Sequence, residues 1–121
     1  MGGLFFGKED RIRLSREFRE IAKNGARAQT RDFVLLVKKS GLDRSRLGVT
    51  VSKKVGNAAV RNRTKRIIRE FFRLHRDEFP GPVDMVVIAK PLPEGRRPDL
   101  HEAERQLQPA VARLWQRISD Q

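Results

Sequence analysis

The stretch Gly48-Val49-Thr50-Val51-Ser52-Lys53-Lys54-Val55-Gly56-Asn57-Ala58-Ala59-Val60-Arg61-Asn62-Arg63-Thr64-Lys65-Arg66-Ile67-Ile68-Arg69 changes its hydrophobic period halfway along. Leu47, Val49 and Val51 alternate with small or polar residues, the pattern of a strand with one face buried. Gly56-Asn57 ends the extended part, and Asn57 is placed to cap a helix from about Ala58 to Arg76. At about 100° per residue, Val60, Thr64, Ile67, Ile68, Phe71 and Leu74 of that helix form one stripe. Asn62, Lys65, Arg66, Arg69, Arg73 and Arg76 lie opposite, while Arg61 and Arg63 flank the stripe. A strand thus leads into a helix that can bury one side and present cations on the other.

Working outward, Ser15 is a fitting N-cap for a short helix from Arg16 to about Asn24, ended by Gly25, with Phe18, Ile21 and Ala22 on one face. Phe33-Val34-Leu35-Leu36-Val37 is a run of β-formers closed by Lys38-Lys39 and a turn-like Ser40 to Asp43. With the strand at 47–52 it predicts a hairpin. A short further strand fits Arg11 to Leu14. Beyond the break at Pro80-Gly81-Pro82, Val83 to Ala89 is nearly all apolar and predicts a central strand buried on both faces. After a proline-rich loop, Asp99 and Glu102 form a capping box for a last helix whose face is Leu100, Ala103, Leu107, Val111, Leu114 and Ile118, with Trp115 beside it. Pro109 should kink or divide that helix. The order helix, strand, strand, helix, strand, helix describes a two-layer α+β domain, one domain over 1–121 with 1–7 as a flexible tail.

Charge points to the partner. The 121 residues hold 27 Lys and Arg against 15 Asp and Glu, a net charge of +12. Residues 1–76 hold 21 of those cations and 7 of the acids, so one part of the chain carries the excess. Such self-repulsion is relieved by a polyanion. On the long helix Glu70 is the only acid between Arg61 and Arg76, and Lys65–Arg69, Arg66–Arg69 and Arg69–Arg73 are like-charged neighbours. A merely solvated helix would alternate signs at these spacings. Arginine predominates, and its planar fork grips phosphate with two bonds where lysine offers a point charge.

The absence of cysteine removes disulfides, thiolate nucleophiles and zinc–thiolate sites, and fits a reducing compartment. No apolar run approaches the roughly 18 residues that span a bilayer, so a soluble, cytoplasmic protein with no membrane partner is expected. His75 and His101, the two histidines, fall on different helices and are expected on helix surfaces, not as a base or metal ligands. No phosphate-cradling glycine loop is present. Gly56-Asn57 leads into a helix N-terminus that could hold one phosphate.

Arg61-Asn62-Arg63-x-Lys65-Arg66-x-x-Arg69, together with Gly48 to Ala58 before it, resembles the signature of the bacterial ribonuclease P protein family. Arg11 to Gly25 and Val83 to Ala89 are similar to that family's first helix and late strand. The resemblance implies a small mixed sheet flanked by helices, like the second domain of ribosomal protein S5, with a left-handed βαβ crossover where the usual rule is right-handed. It implies a subunit of an endoribonuclease that removes the 5′ leader of precursor tRNA. The RNA subunit carries the chemistry with bound Mg2+, so no protein catalytic residue or protein metal ligand is expected. The partners would be ribonuclease P RNA and precursor tRNA, with no further protein required. By the same resemblance Arg61, Asn62, Arg63, Lys65, Arg66, Arg69 and Arg73 would contact the RNA subunit.

A cleft between first helix and sheet would hold the single-stranded leader, with Phe18, Val34, Leu36, Thr50, Ser52, Lys53 and Lys54 matching its residues. An aromatic to stack a base and lysines to follow the backbone suit single-stranded RNA. Ala22 and Leu36 stand where aromatics are usual in the family, and the chain has no tyrosine, so stacking should be weaker. Phe18 could equally just pack the helix onto the sheet. Apart from the resemblance, the residues also fit a ribosomal or ribosome-assembly protein using the same helix on another RNA. A duplex DNA reader is disfavoured because one side of the helix is apolar and no helix-turn-helix pair is present.

Overall fold

Apart from Asp84, every residue of Val83–Ala89 is apolar, and such a strand is stable only where both faces are covered. The computed structural model, which describes residues 6–119, puts it inside the sheet. In chain order the elements are α1 (Ser15–Asn24), β1 (Ala26–Gln29), β2 (Phe33–Lys39), β3 (Arg46–Thr50), α2 (Ala58–His75), β4 (Val83–Ala89) and α3 (Leu100–Ser119). Single 3-10 turns lie at Lys8–Asp10, Lys53–Val55 and Arg76–Glu78. The sheet order is β1-β2-β4-β3, with β4 antiparallel to β2 and parallel to β3, so β3-α2-β4 is a crossover unit. This is the α+β mixed sheet flanked by helices that was expected.

The hairpin expectation is corrected. The two runs are consecutive, but β4 lies between them and pairs with both. An apolar strand at a sheet edge would leave one ladder and much apolar surface in water, whereas the polar-faced β3 tolerates that place. The connection from β2 to β3 passes across the start of β4 and ties to it. Ser40 N donates to Pro82 O at 3.2 Å, and Val83 N donates to Ser45 Oγ at 2.9 Å. β1 was not expected at all. Its sequence, Ala26-Arg27-Ala28-Gln29, has low strand propensity, and pairing with β2 makes it a strand.

Period 2 sends the sheet's two faces to different helices. Phe33, Leu35 and Val37 of β2, Met85 and Val87 of β4 and Leu47 of β3 join Ile68, Phe71 and Phe72 of α2 and Leu107, Val111 and Leu114 of α3 in the main core. On the opposite face Leu36 and Val86 form a smaller cluster with Ile12 and Ile21, edged by Phe18 and Ile88. Ala22, expected on the buried face of α1, is exposed. In α2 the buried side is rotated from the expected stripe. Phe72 is fully buried and Leu74 is 37% exposed, because Phe72 fills the space between Phe6 and Phe79.

Helix ends follow local chemistry with some departures. Asn57 caps α2 as expected, its Oδ1 accepting from Val60 N at 3.0 Å. Leu14, not Ser15, precedes α1, and its carbonyl takes the N–H groups of Glu17 and Phe18. Asp99 accepts from His101 N at 3.1 Å, but Glu102 turns to Arg31 and Arg105 instead of closing a capping box. Pro109 does not divide α3. It sits on the exposed side between buried Leu107 and Ala110, so packing keeps the helix running past it. The Arg11–Leu14 strand reduces to one bridge, Arg11 to Leu47. Of the expected 1–7 tail, positions 1–5 lie outside the described residues, while Phe6 packs edge-on to Phe72 at 5.6 Å. Phe72→Ala should destabilise the fold by about 3–5 kcal/mol and Leu74→Ala by under about 1 kcal/mol, measured by urea unfolding.

Candidate nucleic-acid interface

Helix α2 must bury Thr64, Ile68, Phe71 and Phe72, which forces its remaining sides to carry the cations. Asn62, Lys65, Arg66, Arg69, Glu70 and Arg73, with Phe6, line one shallow groove. The only acid there is already used: Arg73 Nη2 lies 2.6 Å from Glu70 Oε2, and Arg73 Nε donates to Glu70 Oε1 at 3.0 Å. Lys65, Arg66 and Arg69 pair with no carboxylate among the described residues. Burial, and then the nearby Arg11 charge, hold the Arg69 guanidinium below its ordinary basicity. Arg61 and Arg63 are on the flank, as the helical wheel places them. Arg63 Nε donates to Pro98 O at 3.3 Å, and Arg61 has a buried Nε with no hydrogen-bond partner. Arg76 leaves the cationic face altogether. It pairs with Asp10 at 3.0 Å and lies over the Phe72 ring, so it belongs to the fold.

The second set of residues lies on the α1 side of the sheet. Strand register aligns Gln29, Val34, Ile88 and Thr50 in one row across all four strands. The next row is Arg27, Leu36, Val86 and Gly48, and α1 covers its middle. Leu36 is therefore 8% exposed and packs the helix, so it does not line open surface as expected. Phe18 stands at the boundary. Its ring lies against Gly48, where a Cβ would come within 2.8 Å of it, so only glycine lets the ring seat there. Val34 and Ile88 are half-buried and Thr50 is exposed, forming an apolar floor beyond Phe18. Ile88 was missed because Val83–Ala89 is so evenly apolar that its two faces cannot be told apart in sequence. Ser52 spends its hydroxyl on the N–H of Lys54 at 3.3 Å, while Lys53 and Lys54 are exposed on the turn between β3 and α2.

Ion pairs hold these surfaces in place. Arg46 bridges Asp84 at 2.8 Å and Glu17 at 3.0 Å, fastening α1 to the sheet, and the bond to Asp84 raises its pKa. Asp32, 5% exposed, accepts from Gln106, Arg31 and Arg96. Burial opposes its ionisation, but those bonds outweigh burial and keep its carboxyl below the usual range. Arg96 thereby ties the proline-rich loop to the turn before β2 and, through the Asp32–Gln106 bond, to α3. His75, expected on a helix surface, is held between Glu78 at 3.0 Å and Glu104 at 2.6 Å, its side chain 15% exposed. Burial alone would lower its pKa, and the two carboxylates raise it overall.

The fold and this face define a small basic α+β protein built to engage a polyanion. A family model described as Ribonuclease P matches residues 6–118. The ribonuclease P protein component of Syntrophus aciditrophicus is 49% identical over 90 residues, covering 74% of this chain and 76% of the relative. That of Dictyoglomus turgidum is 36% identical over 118 residues, covering 97% and 95%. The solved ribonuclease P protein of Thermotoga maritima is 37% identical with a TM-score of 0.73, covering 85% of this chain and 96% of that one. This chain belongs to the ribonuclease P protein family, whose members are protein components of an endoribonuclease of tRNA processing.

A raised His75 pKa makes its stabilisation complete below its ordinary value near 6.5 and lost as pH rises through the higher folded value. The stability gap between the parent and His75→Gln should therefore be widest at about pH 5.5 and narrow towards about pH 8.5, as urea midpoints would report.

Proposed function

We propose that this chain binds the catalytic RNA of ribonuclease P through α2 and steadies the 5′ leader of precursor tRNA beside α1. The observation that carries the reading is the groove whose acid is spent on Arg73 while Lys65, Arg66 and Arg69 keep no carboxylate partner among the described residues. Asn62, Arg61 and Arg63 extend that contact along the helix. Arg73 contributes less, since binding RNA would compete with Glu70. On the sheet, Phe18, Val34, Thr50 and the added Ile88 offer the leader an apolar floor, with Lys53 and Lys54 following its phosphates. Leu36 supports α1, and Ser52 shapes the turn.

Among the described residues no three His, Asp or Glu groups converge to hold a metal ion. The Mg2+ ion would be held mainly by the RNA subunit. Among the described residues no helix is long and apolar enough to cross a membrane. We take the chain to act as one domain in the cytoplasm without a further protein partner.

The test is cleavage of a precursor tRNA by a bacterial ribonuclease P RNA at low magnesium, with and without the chain. Stimulated leader release, with none from the protein alone, is expected. No stimulation, with tight binding to another structured RNA, would replace this reading with the ribosomal or assembly one. Arg66→Gln and Arg69→Gln should each lower the slope of log affinity against log salt for the RNA by close to one. Lys53→Ala combined with Lys54→Ala should weaken binding of leader-bearing tRNA by about tenfold and leave mature tRNA unchanged, measured by competition binding.

A further inference from the structure

The N-terminal segment ahead of α1 carries a cation that the α2 face does not account for. Phe6 seats its ring edge-on to Phe72 at 5.6 Å and also lines the groove of Lys65, Arg66 and Arg69. Over the Phe6 ring lies the Arg11 guanidinium, 4.9 Å from the ring centroid. Its backbone is held to the sheet edge by the bridge to Leu47, with Ile12 N donating to Leu47 O at 2.9 Å. Arg11 is exposed, and neither it nor Arg69 pairs with a carboxylate among the described residues. Asp10, next in sequence, is taken by Arg76 and by the N–H of Gly7, so it offers Arg11 no neutralisation. Both guanidinium groups therefore border Phe6, Arg11 over its ring and Arg69 in the groove it lines, and the Arg11 charge adds to burial in lowering the basicity of Arg69.

Two guanidinium groups, one anchored on α2 and one on an aromatic ring, repel each other in the free protein. The Leu47 bridge uses backbone groups only, so among these contacts it is the Phe6 ring that meets the Arg11 guanidinium. An anion with several acceptor oxygens can take both forks at once and turn the repulsion into attraction. We propose that Arg11 and Arg69 form a clamp for a single backbone phosphate of the RNA subunit, with Phe6 as the seat that aims Arg11. The clamp rests on the reading of α2 as the RNA-binding face, and it extends that face to the segment before α1.

The test is a double-mutant cycle on binding of the full chain to a bacterial ribonuclease P RNA transcript over a salt series. Arg11→Gln should weaken binding by about tenfold and lower the salt slope by close to one. Adding it to Arg69→Gln should cost much less than the product of the two single effects, because the phosphate is already lost. Arg11→Lys keeps the charge and controls for folding; it should retain the slope and lose part of the affinity. If Arg69→Gln weakens binding and Arg11→Gln does not, the clamp is wrong and the α2 face stands. Multiplicative effects of the two changes would mean separate phosphates and overturn the clamp. If neither change affects binding, the α2 face is wrong as well.

Discussion

The need to bury Val83–Ala89 on both sides governs this fold. A strand with two apolar faces must sit between two ladders and between helices. Meeting that demand opens the connection between β2 and β3, makes β3 a parallel edge, and obliges the chain to return through α2. It also separates two cores, since one face of β4 packs against α2 and α3 and the other against α1. The larger core anchors the cationic helix through Ile68, Phe71 and Phe72. The smaller covers only the middle of its face and leaves the Gln29–Val34–Ile88–Thr50 row beside it.

The division of labour among charges follows from that geometry. Where acids and cations meet at buried or half-buried positions, they bind the structure together, as Arg46 does with Asp84 and Glu17 and Arg76 with Asp10. Ion pairs of this kind cost most when one partner is removed, because the other is left desolvated. On α2 the cations outnumber the acids, and Glu70 can answer only one of them. The net charge of +12 is thus a sum of two populations, one internally matched and one left for a polyanion.

Much of the candidate site was legible because it is local. Asn57 ahead of Ala58, the stripe through Thr64 and Ile68, and the cations opposite are properties of one helix, and helix periodicity places them without knowledge of neighbours. The surface proposed for the leader was less legible. Leu36 and Val34 are both apolar strand residues, yet α1 covers the first and leaves the second half open. Phe18 depends on Gly48, thirty positions later in the chain, for room to seat its ring.

By itself the sequence determined the three helices, the segments of β2, β3 and β4, the cationic face of α2, the doubly buried character of β4 and the kinship that goes with them. Those follow from spacing and residue type over short windows. Tertiary structure alone decided that β4 would part β2 from β3, that Ala26–Gln29 would become a strand, and that Phe72 would turn inward in place of Leu74. It also decided which cations would be spent on the fold. Arg46, Arg76 and Arg96 look like Arg66 and Arg69 in sequence, and only the carboxylates brought to them from distant positions set them apart. The physical reason is common to all of these. Strand order and ion pairing are settled by competition among distant segments for burial and for countercharge, and no local window contains the competitors.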